Sequence, residues 1–138
     1  MRFDALQRFA PQMLSILRIV TALLYLQHPF AKFFKIPHVA AFDNLQLFSL
    51  TGVAGMIELV GSILLIIGLF TRPVAFILSG EMAVAYFMAH APHGFFPLTN
   101  GGEPAVLFCF IFLYLVFAGP GPWSVDAVRD TPLSKELT

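Results

Sequence analysis

Apolar residues in this chain fall into long runs separated by short polar or Pro/Gly-rich breaks. The first, QMLSILRIVTALLYLQH, covers about residues 12–28 and stops at Pro29, a residue that breaks or kinks a helix. The second covers about 51–69 and ends in the turn Thr71-Arg72-Pro73. The third is PVAFILSGEMAVAYFMAH, about 73–90, with Pro73 suited to its first turn. The fourth runs from about Glu103 to Ala118 and is stopped by GPGPW. Between the first two, residues 30–50 mix Lys32, Lys35, Asp43 and Asn44 with aromatic side chains, the pattern of a loop plus a short amphipathic helix lying at a membrane surface. Residues 91–102, APHGFFPLTNGG, read as a loop, and 123–138 as a soluble tail.

Runs of this length predict helices that cross a bilayer. Short connections between them predict an all-α fold, an integral-membrane antiparallel four-helix bundle in one domain spanning residues 1–138. Composition agrees. Only 12% of the 138 residues are charged and 58% are hydrophobic, against about 25% charged in an average soluble domain. Arg18 interrupts the first apolar run and no small-residue cleavage site follows, so that run reads as a retained helix rather than a signal peptide. Lys and Arg are too few and scattered for nucleic-acid binding. The single cysteine, Cys109, excludes a CxxC pair and an internal disulfide. Arg2, Arg8, Arg72, Arg129 and Lys135 fall on one side of this topology and only Lys32 and Lys35 on the other. That bias places both termini in the cytoplasm.

Three predicted spans carry a charge in mid-run: Arg18, Glu58 and Glu81. Counted from the outer helix ends, they lie roughly 15, 10 and 14 Å deep at 1.5 Å per residue. Each shares a stripe with small residues. On helix 1 the stripe is Ser15, Arg18, Thr21, Ala22, Tyr25 and His28, and on helix 2 it includes Gly55, Glu58, Gly61 and Ser62. The expectation is a buried Arg18–Glu58–Glu81 cluster. It reads either as a structural lock or, because it carries one positive and two negative charges, as a site in which one acid exchanges a proton. A second polar layer is expected at the outer mouth, built from His28, Lys32, His90 and Glu103, with His93 and Asn100 near it and Tyr114 adding a hydroxyl. For each His the plain alternative is a hydrated interfacial side chain, and for Glu103 a favourable charge at a helix N-terminus. No ExxH spacing occurs, and no metal site is expected.

The ordered set of Arg18, then His28 and Lys32, IELVGSILLIIGLFTRP, Glu81 and His90, NGGE and GPGPWS resembles the DoxX family over about residues 12–126. The family usually carries His-Gly where this chain has His28-Pro29. The resemblance implies a four-helix protein of the bacterial inner membrane and a link to quinone-coupled oxidation or to membrane complexes that handle oxidative stress. It marks Arg18, Lys32, Glu58, Glu81, His90 and Glu103 as motif positions. The expected function is a redox-associated subunit that binds a quinone or similar hydrophobic molecule. With no CxxC, haem-ligating His pair or nucleotide fingerprint, its electrons would pass through a redox partner protein or the quinone itself. A proton or small-molecule carrier, with more helices supplied by a homo-oligomer, is the first alternative; a structural or assembly subunit is the second.

Overall fold

The computed structural model describes residues 3–130. These fold into four long helices and several single turns, with no strand among the described residues. Helix α1 is Ala10–Phe33 and α2 is Leu50–Ile67. Helix α3, Thr71–Ala85, continues through a π-helical turn at Tyr86–His90 and a 3-10 turn at Ala91–His93. Helix α4 is Glu103–Ala118. The first three rods are long and apolar enough to cross a membrane, whereas α4 is apolar but shorter.

Local chemistry sets the helix ends. The Ser49 hydroxyl accepts the Gly52 N–H at 3.1 Å and caps α2. Gly68, at φ 71°, ends α2 in the left-handed conformation that glycine adopts without strain. Two further residues reverse the chain into α3. The amphipathic helix expected within 30–50 is not formed. Lys35 turns left-handed at φ 58°, Pro37 has no N–H to donate, and only one 3-10 turn, Ala40–Phe42, follows.

Side-chain contacts fix the arrangement. Lys32, late in α1, meets Glu58 in the first half of α2, while Arg18, early in α1, meets Leu65 near the end of α2, so these helices are antiparallel. Arg72 at the start of α3 donates to the Val116 and Phe117 carbonyls at the end of α4, both at 2.9 Å. Tyr25 of α1 packs edge-on against Phe108 and Phe112 of α4 and closes the ring of helices. The fully buried core is Ala22, Tyr25, Leu65, Ala75, Leu78, Phe112 and Leu115. The outward faces carry large apolar side chains such as Val60, Phe76, Phe110 and Phe117. This inside-out pattern suits a hydrocarbon surround.

Helix α1 continues past Pro29, which corrects the expected depth of the charges. Pro29 is buried inside the helix, and the rod ends at Phe33 instead of His28. Arg18 therefore lies about 22 Å from that end at 1.5 Å per residue, near the opposite end of the bundle. It forms no cluster with Glu58 and Glu81. Its fully buried guanidinium donates to the Leu65 carbonyl at 2.8 Å, to the Trp123 carbonyl at 2.6 Å and to the Pro120 carbonyl. Leu65 is in the last turn of α2, where carbonyls lack helical partners and the helix dipole is negative, so Arg18 answers both. Ser15 accepts the Trp123 N–H at 3.1 Å and fastens the same segment.

A terminal helix, Val125–Arg129, completes this end. The Asp126 carboxylate accepts the Phe70 and Thr71 N–H groups, both at 2.9 Å, and the Asp126 N–H donates to the Gly68 carbonyl at 3.0 Å. One aspartate thus supports the α2–α3 turn, including Phe70 in its left-handed conformation at φ 52°. Of the basic residues expected on this side, Arg2 and Lys135 lie outside the described residues, as does the end of the expected soluble tail. Burial pushes the Asp126 carboxyl up, but the Thr71 and Phe70 N–H groups and the Arg129 charge outweigh it and hold it below the usual aspartate range. A value lower in the folded than in the unfolded chain stabilises above about pH 4, and the contribution is lost as pH falls through the folded value. Protection of the Phe70 and Thr71 amides, their exchange relative to the intrinsic rate at each pH, is expected to fall in acid, and Asp126→Asn to flatten that dependence. Equal exchange in both proteins across the acid range would rule the linkage out.

Candidate functional site

At the end of the bundle remote from Arg18, α1 presents Tyr25, His28 and Lys32 on one stripe at i, i+3, i+7 spacing. Lys32 projects from the last turn of the helix beyond Pro29. Its ammonium lies 2.7 Å from Glu58 Oε2, and the two side chains are only 8% and 5% exposed. The partner of Glu58 is therefore Lys32, which the sequence placed in the outer layer, and not Arg18. Glycine makes this approach possible. A Cβ at Gly55, one turn before Glu58, would come within 3.0 Å of the Lys32 stem and 2.8 Å of the Phe33 ring.

Glu81 reaches the same cluster from α3. Its Oε2 accepts the Tyr25 hydroxyl at 3.2 Å, its carboxyl lies beside that of Glu58, and its Oε1 is buried with no hydrogen-bond partner. Tyr25 is fully buried, and its ring also touches the exposed His28 ring, with centroids 5.5 Å apart. The site thus joins Tyr25, Glu81, Glu58 and Lys32, with the exposed His28 ring packed against the Tyr25 ring. One ammonium faces two carboxyls. Ionised carboxyls at such separation repel unless a cation or a shared proton compensates them.

On the Arg18 side, Ser62 is fully buried one turn below Glu58, and its hydroxyl has no partner. Below it the fully buried Leu65, Leu78, Phe112 and Leu115 close the bundle. On the other side a cavity of about 270 Å³ opens beside Lys32, lined by Phe33, Lys35, Asp43, Leu45 and Leu47. The Lys35 ammonium donates to the Phe42 carbonyl and draws the loop over this mouth. A second, wholly apolar groove of about 470 Å³ lies outside between α2 and α3, with Ile57, Val60, Gly61 and Leu78 among its walls.

The remaining residues expected at the mouth lie apart. His90 pairs through Nδ1 with the Asn100 carbonyl at 3.1 Å and braces the loop that follows. Glu103 is exposed in the first turn of α4, where its charge suits the helix N-terminus. Tyr114 is 56% exposed on the outer face of α4, so it adds no hydroxyl to the interior. Helix α4 packs through Ala105, Phe108, Phe112 and Leu115, which leaves the Glu103, Leu107, Phe110 and Tyr114 stripe facing outward. Tyr25 is the member that sequence reasoning passed over, although it shares a stripe with His28.

Residues 13–91 match the DoxX family. An uncharacterised protein of Haemophilus influenzae is 49% identical to this chain over 130 residues, a match that covers 88% of the chain and 93% of the relative. No solved structure matches.

Removing one partner of a buried ion pair leaves an uncompensated charge and costs about 3–5 kcal/mol, whereas replacing both with apolar residues of similar volume is near neutral. Glu58→Gln and Lys32→Met are each expected to lower the unfolding free energy in detergent by about that amount. The double variant Lys32→Met/Glu58→Leu is expected to recover most of the loss. A double variant as unstable as the sum of the two single losses would show that the residues do not act as a pair.

Proposed function

The chain belongs to the DoxX family, and from that premise we propose that it is a multi-pass protein of the bacterial inner membrane that binds a quinone or another small hydrophobic molecule beside its buried carboxyls. In this reading the four helices form the membrane bundle, and the protein serves a larger redox assembly as a subunit without a redox centre of its own. Orientation follows from the basic residues. Arg8, Arg72 and Arg129 gather at one end, and Lys32 and Lys35 stand at the other. The first end is cytoplasmic by the positive-inside rule.

The observation that carries the reading is Glu81, which meets the Tyr25 hydroxyl with one carboxyl oxygen and stands beside the Glu58 carboxyl, itself paired with Lys32. A bound quinone supplies two-electron, two-proton chemistry. The Tyr25 hydroxyl and the Glu81 carboxyl are the groups available to hydrogen-bond its oxygens. In this reading one of the two acids carries an exchangeable proton beside the Lys32 charge. The apolar groove between α2 and α3 suits a hydrocarbon tail. The layer of Leu65, Leu78, Phe112 and Leu115 favours this one-sided site over a carrier, which needs a polar route to both faces.

Protein purified in native lipids is expected to retain a quinone-like molecule identifiable by mass spectrometry. Infrared difference spectra between its oxidised and reduced states should contain a protonated-carboxyl band. Glu81→Gln should abolish the band, and Tyr25→Phe should shift it. A preparation that is folded, holds no such molecule and gives no carboxyl signal with added quinone would exclude the reading.

A further inference from the structure

The cavity of about 270 Å³ at the mouth of the bundle carries charges that the carboxyl site does not use. Its walls hold three charged side chains, Lys32, Lys35 and Asp43, among the apolar Phe33, Leu45 and Leu47. The Lys32 ammonium forms the inner wall, 8% exposed and 2.7 Å from Glu58. Nearer the surface, Asp43 Oδ1 meets His38 Nε2 at 2.7 Å. The Lys35 ammonium donates to the Phe42 carbonyl and reaches the Lys32 carbonyl at 3.5 Å.

An ammonium has three N–H donors, and a carboxylate has two acceptor oxygens. Counted against these contacts, the fold leaves two donors of Lys32, one donor of Lys35 and one oxygen of Asp43. The charges balance as well. Glu58 matches Lys32, so Lys35 and Asp43 add one charge of each sign to the cavity. A ligand with a net charge would upset that balance. A zwitterion keeps it, and each of its charges finds the opposite sign.

Position selects the kind of zwitterion. Helix α1 has 24 residues and extends about 36 Å, against about 30 Å for a hydrocarbon core, so the loop after its last turn stands at the headgroup layer. The chain from Phe34 to Leu50, which carries Lys35 and Asp43, exposes Phe34, Ile36, Phe48 and Leu50. Apolar side chains around a polar cavity suit the boundary between headgroups and acyl chains.

We propose that this cavity binds the headgroup of an aminophospholipid, with the phosphate on Lys35 and Lys32, the primary ammonium on Asp43, and the acyl chains leaving over Leu45 and Leu47 into the bilayer. The recognised chemistry is a phosphate joined by a short link to a primary ammonium, which free phosphoethanolamine shares. The proposal rests on the membrane reading above and is independent of what binds beside Glu81.

The test measures lipid binding to the full chain in detergent by native mass spectrometry. The probes are phosphatidylethanolamine and phosphatidylglycerol with the same acyl chains. The wild-type chain is expected to prefer phosphatidylethanolamine about tenfold, the effect of one hydrogen bond to a charged group. A merely cationic patch gives the reverse order, because phosphatidylglycerol has a net negative charge. Asp43→Asn is expected to abolish the preference. His38→Gln, which also breaks the 2.7 Å pair with Asp43, is expected to keep it. Equal or tighter binding of phosphatidylglycerol by the wild-type chain, a preference that survives Asp43→Asn, or one lost equally in His38→Gln would overturn the proposal. Free phosphoethanolamine in excess separates the two sources. It is expected to leave the lipid bound, and displacement of the lipid would overturn the lipid assignment in favour of the soluble molecule.

Discussion

The 2.7 Å contact between Lys32 and Glu58 imposes conditions on three helices at once. A buried charge is tolerated only when paired and hydrogen-bonded. For the pair to form, α1 must run past its proline, since Lys32 lies in the turn beyond it. Gly55 must lack a side chain, because that space is taken by the Lys32 stem and the Phe33 ring. The loop after α1 must then reverse sharply, which Lys35 does in a left-handed conformation with its ammonium on the Phe42 carbonyl. Glu81 and Tyr25 complete an arrangement whose position the ion pair has already set.

The two ends of the bundle treat buried cations differently. Lys32 is matched by the carboxylate of Glu58. Arg18 is matched by backbone carbonyls of Leu65, Pro120 and Trp123, groups that do not titrate. A guanidinium remains protonated in proteins and directs several N–H groups from one plane. It is therefore suited to hold chain segments together, whereas Lys32 is held by one side chain. An apolar layer separates the two ends.

Much of this was legible in the sequence. The run from Glu103 to Ala118 is bounded by Gly102 and Gly119, and α4 has those limits. The small residues around Glu58 do clear space for a neighbouring helix. The misassigned partner of Glu58 came from one proline. Ending α1 at His28 shortens it by about five residues, some 7 Å, which is enough to raise Arg18 to the level of the acids. Whether a buried proline ends a helix or is absorbed depends on packing that the local sequence does not contain. Tyr114 was misplaced for another reason: α4 is apolar on all sides, so periodicity cannot select its inner face. Tyr25 lay in the right stripe, but an aromatic ring there reads as packing until its hydroxyl is seen on Glu81.

The carbonyls that meet Arg18 have a consequence for biogenesis. Pro120 and Trp123 follow it by 102 and 105 residues. During synthesis α1 is inserted long before they leave the ribosome, and even the Leu65 carbonyl arrives 47 residues later. In that interval the guanidinium must be met by water, by lipid headgroups or by the insertion machinery. The nascent bundle therefore stays unlatched at its Arg18 end until the GPGPW segment emerges and docks. A chain cut short before Pro120 would carry an arginine with most of its partners missing, an exposed flaw that membrane quality control can recognise.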